Sequence, residues 1–281
     1  DFVEEVLGPL SMLPALEIPI TDAIGCRAAV DVAADRAVPA YREALIDGIA
    51  VRVADVRGAS SATPVTLPMG SAVVAGTPAE PLPEGHCARI AIGGQLPLGA
   101  DAIVGPDGYR IDDDKVLLER TPLAGEGYRE PGTQFEQGDV LVSRGAIVGT
   151  VIVAGLALAG HPRVRVHPRP RVVVLTVGSE LVAVGDEPGE VTAHDANGVM
   201  LSTTGTRLGA MCHRVGPIRD DSRTVSDTLE DQLVRADIIV TTGGIDSPDD
   251  VMRRELQSSG IARFDGPPLA PCNAYGIGLL G

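Results

Sequence analysis

Aromatic residues are scarce in this chain: three Phe, four Tyr and no Trp in 281 residues. Its core must therefore be filled by Val, Ala, Leu and Ile, which dominate a 44% hydrophobic composition. Lysine is rarer still. Lys115 is the single lysine among 23 basic residues, a skew that reads as a base-composition bias of the source genome and not as a function. Positive charge is also short overall. A net charge of −15 argues against broad contact with nucleic acid or an anionic membrane, both of which need a surplus of positive charge. Cys26, Cys87, Cys212 and Cys272 form no CxxC pair and lack the density of a disulfide scaffold, so they read as reduced thiols. His86, His161, His167, His194 and His213 are scattered, without helical or Cys/His ligand spacing, which argues against a zinc or iron site. No apolar run reaches the ~18 to 20 residues of a membrane span, and the chain does not open with the basic and apolar segments of a signal peptide. A soluble, cytoplasmic protein is expected.

The length implies two or three domains, and the character of the chain changes twice. Up to about Val38 the pattern is helical: Thr21-Asp22 is placed to cap a helix over Ala23 to Asp31, with Ala23, Ile24, Ala28 and Val32 near helical spacing. From Pro39 to about Gly132 short apolar runs alternate with Gly and Pro: Ile49–Val53, Ser71–Ala75, Ala88–Ile92, Ala102–Val104 and Val116–Leu118. These predict an all-β region, in which prolines from Pro64 to Pro106 exclude long helices. Ile147–Leu158 reads as an apolar helix ended by Gly160 and Pro162, expected to pack on the amino-terminal helix.

Beyond Pro168 the pattern is α/β. Arg171–Thr176 and Asp237–Thr242 are continuous apolar runs, as in strands buried on both faces of a parallel sheet. Asn197–Leu208 and Ser222–Arg235 have helical periodicity, and Asp220-Asp221-Ser222 gives the second an acidic, capping start. A last helix is predicted over Asp249–Ser259, with Ser247 as N-cap, Pro248 at the first position and Gly260 as its stop. Together these make a doubly wound domain.

Ligands of open parallel sheets sit beyond the carboxyl ends of the strands, where glycines admit a close backbone and helix amino termini point outward. Leu175–Leu181, with Gly178 and Ser179, fits that rule. So does Thr241–Asp250, with Gly243, Gly244 and Ser247. Together they suit a phosphate-bearing ligand, although neither is a P-loop or a GxGxxG fingerprint, and ordinary βα turns read the same. Glu180, Asp195, Asp220, Asp249 and Asp250 sit at element ends. They suit either magnesium binding and proton transfer or simple helix capping. Asp47-Gly48 alone marks a turn, and Asp112-Asp113-Asp114 before Lys115 marks a solvated hairpin tip. Arg163, Arg165, Arg169 and Arg171 either balance acidic neighbours or approach an anionic ligand.

Several segments appear in a telling order: Pro39-Ala40-Tyr41 with Asp47–Val51, Ala88–Gly94 with Leu96–Val104, and Arg129–Val140. Arg169–Val172 through Gly178-Ser179-Glu180-Leu181 comes next, then Asp195-Ala196-Asn197, Asp220-Asp221, Thr242-Gly243-Gly244 and Pro271–Gly281. This series resembles the molybdopterin molybdenumtransferase family, to which the carboxy-terminal domain of gephyrin also belongs, and the Pro97–Val104 match is the most specific.

The resemblance implies an α/β plus β fold: a small discontinuous helical/β domain (1–38 and 133–168), an inserted all-β domain (39–132) and a doubly wound α/β pterin-binding domain (169–281). It implies insertion of molybdate into adenylylated molybdopterin with release of AMP, assisted by Mg2+. The assembly implied is a homodimer, with the molybdopterin adenylyltransferase as a further partner. Asp47, Glu180, Asp220 and Asp250 match the family's acidic catalytic positions, and Gly178, Ser179, Asn197, Gly243, Gly244 and Ser247 its substrate-binding loops; no metal ligand is singled out. Departures fall on the same loops: Gly93 replaces Thr, Gln134 replaces Asp, Val177 and Ser179 replace Thr and Asp, and Cys272-Asn273-Ala274 replaces Gly-Lys-Pro. The segment after Gly244 is shorter than the family's, and the resemblance stops at Gly281, before a proline-rich loop and small β-barrel. Two other readings compete: a catalytically silent paralogue that binds a pterin or acts as a scaffold, and a generic α/β enzyme of phosphate ligands.

Overall fold

The structure, a computed structural model, describes residues 2–264 and 275–280. Cys272, Asn273 and Ala274 lie outside the described residues. The chain divides into two compact units, one of Asp1–Val30, Arg144–Gly149 and Arg163–Gly281, the other of Asp31–Ser143 and Thr150–Pro162. Among the described residues no helix is long and apolar enough to cross a membrane.

A short helix α1 (Phe2–Leu7) precedes strand β1 (Leu16–Pro19), which pairs antiparallel with Arg163–His167. The helix expected over 23–31 is not formed. Ile20–Asp22 makes one 3-10 turn, and Gly25 takes a left-handed φ of 82°. The backbone after it bonds to distant partners, with Ala28 N–H donating to Ala146 O, Ala29 N–H to Arg165 O and Gly25 N–H to Val148 O, all at 2.9 Å. Ala23 and Ala28 are fully buried by these pairings, so long-range hydrogen bonds override a weak local preference.

The second unit is built on β2 (Gly48–Val51), β3 (Ser60–Pro68), β4 (Ala88–Ile90), β5 (Ala102–Val104), β6 (Tyr109–Asp112) and β7 (Lys115–Arg120). They form two antiparallel sheets, ordered β4-β2-β5 and β3-β7-β6. β2 is buried on both faces. Ile49 and Val51 join a core with Leu67, Val116 and Leu118, while Ala50 joins Ile90 and Ile103 on the other side. Each fully buried Ile or Val contributes about 1.5–3 kcal/mol, which explains a run without polar alternation in an antiparallel sheet. The thiol of Cys87, buried in the first of these cores, is pushed up to about 11 by desolvation.

Two strand expectations need correction. Ser71–Ala75 is not a strand; Val73 makes an isolated bridge to Ile90, between Pro68 and the left-handed Gly76. β3 is hidden in the sequence because Pro64 interrupts it, yet it is an edge strand, where a missing N–H costs no ladder bond. Asp113 and Asp114 form the β6–β7 tip as expected, with Asp113 left-handed at φ 51°. Helix α2 (Thr150–Ala159) also forms as expected and packs against the Val140–Val142 strand of this unit; the helix over 23–31 expected as its packing partner is not formed.

In the first unit, β8 (Arg171–Val177), β9 (Met211–Ile218) and β10 (Ile238–Thr242) make a parallel sheet in the order β9-β8-β10. Helices α3 (Ala196–Arg207), α4 (Ser222–Leu233) and α5 (Val251–Ser259) cover it. Leu175 and Val177 face Val225, Leu229 and Met252 of α4 and α5. Thr176, pointing the opposite way along the pleat, meets Gly198 of α3, so the domain is doubly wound. β9 carries no strand signal in the sequence, because its His, Arg, Gly and Pro break the apolar run. Arg169, before β8, and Arg171, its first residue, serve as clamps. Arg169 donates to the carbonyls of Gly209 and Ala210 at 2.7 and 2.9 Å. Arg171 pairs with Asp237 at 2.8 Å, a bond that holds the Asp237 carboxyl below its usual range.

Gly48 illustrates how tightly β2 is seated: a Cβ there would lie 2.2 Å from Val104 O. The variant Gly48→Ala is expected to lose about 2 kcal/mol or more, read as a lower urea midpoint at unchanged slope; an unchanged midpoint would show that the β2–β5 spacing is slack.

Candidate functional site

Three loops meet at the carboxyl ends of β8, β9 and β10. After β8, Gly178 N–H donates to Ile218 O at 3.0 Å, tying the turn to the end of β9. The Glu180 carboxylate folds back over Gly178, where a Cβ would fall 2.8 Å from its Oε1. After β9, Asp220 N–H donates to Ser179 Oγ at 3.2 Å. After β10, Gly243 runs so close to β8 that a Cβ would sit 2.0 Å from Val177 O, and its φ of 88° is left-handed. Gly244 continues left-handed at 66°, with its Cβ direction 3.5 Å from Asp220 Oδ1. No residue with a side chain reproduces this path without moving backbone.

The acidic residues separate by role. Asp221 is the N-cap of α4: its Oδ1 accepts from Thr224 N–H at 3.0 Å, and that bond leads the causes holding its carboxyl below the ordinary value. Asp195 is the N-cap of α3, accepting from Gly198 N–H at 2.8 Å. Asp220 and Glu180 are exposed, and among the described residues neither carboxylate has a hydrogen-bond or ion-pair partner. Asp249 is likewise exposed, with no partner for its carboxylate among the described residues, but it lies within the Ser247–Asp250 turn. Asn197, also exposed, approaches Thr242 across the sheet end, Nδ2 to Oγ1 3.5 Å. Thr242 lies in the Thr241–Asp250 loop candidate read from the sequence, but nothing in the sequence pairs it with Asn197.

Asp250 and Ser247 depart from expectation. Asp250, not Ser247, occupies the N-cap position of α5, and the helix begins at Val251. Ser247 and Asp250 instead close a turn on each other, with Asp250 Oδ2 accepting from Ser247 N–H at 2.9 Å and Ser247 O from Asp250 N–H at 3.1 Å. Asp249 N–H donates to Ser247 Oγ at 3.4 Å. This turn consumes the residues that would have formed the first helical turn. α5 still abuts the glycine loop, because Arg253 N–H donates to Gly244 O.

Asp47 belongs to the other unit, and there it does more than mark a turn. Its Oδ1 accepts from Ile92 N–H at 2.7 Å, stapling the start of β2 to the residues after β4. Gly93 is next, in a left-handed conformation, φ 77°, with its carbonyl accepting from the Tyr41 hydroxyl at 3.3 Å. A Thr at this φ would be strained by its branched Cβ.

Among the described residues no three His, Cys, Asp or Glu side chains cluster to hold a metal ion. A cavity lined by Arg169, Arg171, Val173, Cys212, His213 and Gln232 opens at the amino ends of the strands, away from these loops. Arg169 and Arg171 there are occupied by the clamps described above, so the glycine loops are the better candidate site.

Comparison with known proteins adds an independent line. The family model of the MoeA N-terminal region (domain I and II) matches residues 2–160, and that of a probable molybdopterin binding domain matches residues 173–267. Molybdopterin molybdenumtransferase 1 of Mycobacterium tuberculosis is 31% identical over 283 aligned residues, covering 95% of this chain and 66% of the relative. The molybdopterin molybdenumtransferase of Staphylococcus aureus is 27% identical, covering 86% and 58%. The chain thus spans up to about two thirds of the length of the relatives it matches. Two solved structures of the molybdopterin biosynthesis MoeA protein of Pyrococcus horikoshii agree with TM-scores of 0.70, at 30% and 25% identity, covering 98% and 97% of this chain and 70% and 69% of theirs.

Ser179 is the cross-link between the first two loops. Ser179→Ala is expected to cost about 0.5–1.5 kcal/mol and to accelerate hydrogen exchange at the Asp220 amide while Gly178, bonded to Ile218, keeps its protection. Equal protection at Asp220 in both proteins would mean that the hydroxyl does not hold the loop.

Proposed function

Because the chain belongs to the MoeA family, with its two characteristic regions in order along the sequence, we propose that it binds adenylylated molybdopterin and inserts molybdate into it, releasing AMP. The observation that carries this reading is the meeting of Gly178, Gly243 and Gly244 with the unpartnered carboxylates of Glu180 and Asp220 at one sheet end. The Gly178 N–H is held by Ile218 O, so N–H groups for phosphate oxygens would come from the Gly243-Gly244 turn, and the amino terminus of α5 adds favourable potential. Asn197 and Ser179 supply neutral hydrogen bonds, and Gly178, Gly243 and Gly244 leave room for a planar ligand. Glu180 and Asp220 are placed to accept protons or to orient water and molybdate oxygens near the phosphate.

Magnesium fits this donor set in one form. Mg2+ is commonly held by one or two carboxylates together with substrate phosphates and water, and Glu180 and Asp220 meet that need where an all-protein cage is lacking. When bound, it would neutralise phosphate charge. The remaining acids of the family pattern, Asp47 and Asp250, already hold backbone N–H groups. Each fixes the loop of its own unit.

The expected result is molybdate-dependent AMP release from adenylylated molybdopterin, reduced about 100-fold or more in Glu180→Gln and Asp220→Asn. Asp47→Asn, which keeps an oxygen for Ile92 N–H, separates charge from loop support when set beside Asp47→Ala. Pterin binding without AMP release would instead select the silent, scaffold-type reading; failure to bind any pterin would remove both.

We also propose that the protein works in the cytoplasm as a homodimer and receives its substrate from the molybdopterin adenylyltransferase, in keeping with the assembly implied by the resemblance. Sedimentation equilibrium is expected to return twice the 29.0 kDa chain mass; a monomer at micromolar concentration would refute the dimer.

A further inference from the structure

Beneath the first turn of α3 lies a polar cluster that capping alone does not explain. Asp195 is 1% exposed. Its Oδ1 receives Gly198 N–H, but Oδ2 has no hydrogen bond, and neither has the buried hydroxyl of Thr176 on β8 or Nη1 of Arg214 on β9. Arg214 Nη1 stands 3.7 Å from Asp195 Oδ2, close enough for strong attraction where water is excluded. Gly198 is the lid. A Cβ there would lie 2.3 Å from Asp195 Oδ2 and 2.6 Å from Thr176 Oγ1, so only glycine lets the helix settle onto the cluster.

Asp221 shows that a cap needs none of this, for it caps α4 with a side chain 46% exposed. Burying a carboxylate is costly unless it is paired, so the burial of Asp195 has a positional consequence. The residue is fixed from both sides. Asp195 N–H donates to Val182 O at 3.0 Å, and Ala193 N–H donates to Glu180 O at 2.9 Å, so the same segment carries the free acid of the first loop. Asn197 stands between the anchored Asp195 and Gly198, and its amide reaches toward Thr242.

We propose that Asp195, held by Arg214 over Thr176, is a positioning residue that sets Asn197 and the Glu180 loop for the ligand. This rests on the pterin-site reading above. The test is titration of the full chain with molybdopterin, monitored by pterin fluorescence, with amide hydrogen exchange on the ligand-free protein beside it. Asn197→Ala is expected to weaken binding about tenfold, the value of one hydrogen bond of ordinary strength. Asp195→Ala is expected to do the same, and the double variant to be no weaker than either single one. Asp195→Asn, which keeps the acceptor for Gly198 N–H and loses the attraction of Arg214, should fall between wild type and Asp195→Ala. In the ligand-free protein, exchange at Gly198, whose N–H Asp195 holds, should accelerate at least about tenfold in Asp195→Ala, the loss of one ordinary hydrogen bond, leaving Thr203 to Arg207 unchanged.

Losses that multiply to about a hundredfold in the double variant, or acceleration along all of α3, would overturn the proposal and leave Asp195 a purely structural residue. If the wild-type protein binds no pterin, the functional reading fails on its own. The exchange pattern then decides: acceleration confined to the first turn supports positioning, and its absence overturns it.

Discussion

The passage of Gly243 across the carbonyl of Val177 is the contact on which the carboxyl-terminal unit depends. It brings the end of β10 against the end of β8 at a distance that excludes any Cβ. Gly244 can then turn toward Asp220, and α5 can start where its Arg253 N–H meets the Gly244 carbonyl. Loosening that approach would release the third loop from the other two. The doubly wound arrangement supplies the rigidity: Leu175 and Val177 are locked by α4 and α5, and Thr176 lies against α3, so the strand that carries Gly178 is clamped on both faces.

The other unit uses small and branched aliphatic residues to the same end. β2 lies between two cores, with Ile49 and Val51 on one side and Ala50 on the other. Gly48 lets β5 pass within contact distance of the chain. Trp is absent and Phe and Tyr are few, and the rings that reach these cores, Tyr109 and Tyr128, are only partly buried at their margins. Close backbone spacing substitutes for side-chain volume, which is why several glycines here are fixed by contact and not merely by turn geometry.

The acidic residues show how one sequence pattern divides by environment. Asp195, Asp220, Asp221 and Asp250 all stand at the entrances to helices, and by composition each is equally a cap or a functional acid. Hydrogen bonds separate them: Asp195 and Asp221 hold helix N–H groups, Asp250 closes a turn with Ser247, and Asp220 keeps its carboxylate exposed. A shift of one residue between Asp220 and Asp221 exchanges chemistry for capping.

By itself the sequence determined those features that short-range pattern encodes. The continuous apolar runs of β8 and β10, the periodicity of α3 and α4, the Asp113-Asp114 hairpin tip and the glycines that open the two ligand loops are all legible, because apolar runs, helical spacing and turn chemistry leave local marks, although β10, expected to be buried on both faces, is half-buried along its length at the end of the strand order. So is the family, through motifs spread in order along the chain. Tertiary structure alone decided the rest. The segment 23–31 gave up a helix to bond with Ala146, Val148 and Arg165. β3 tolerated Pro64 at a sheet edge, and β9 formed from a mixed polar segment because β8 offered it a partner. Ser247 lost its capping place to Asp250, and Asp195 became buried beneath Gly198. In each case the deciding partner lies tens of residues away or in a competing turn, and backbone hydrogen bonds, which must be satisfied somewhere, were met there and not locally.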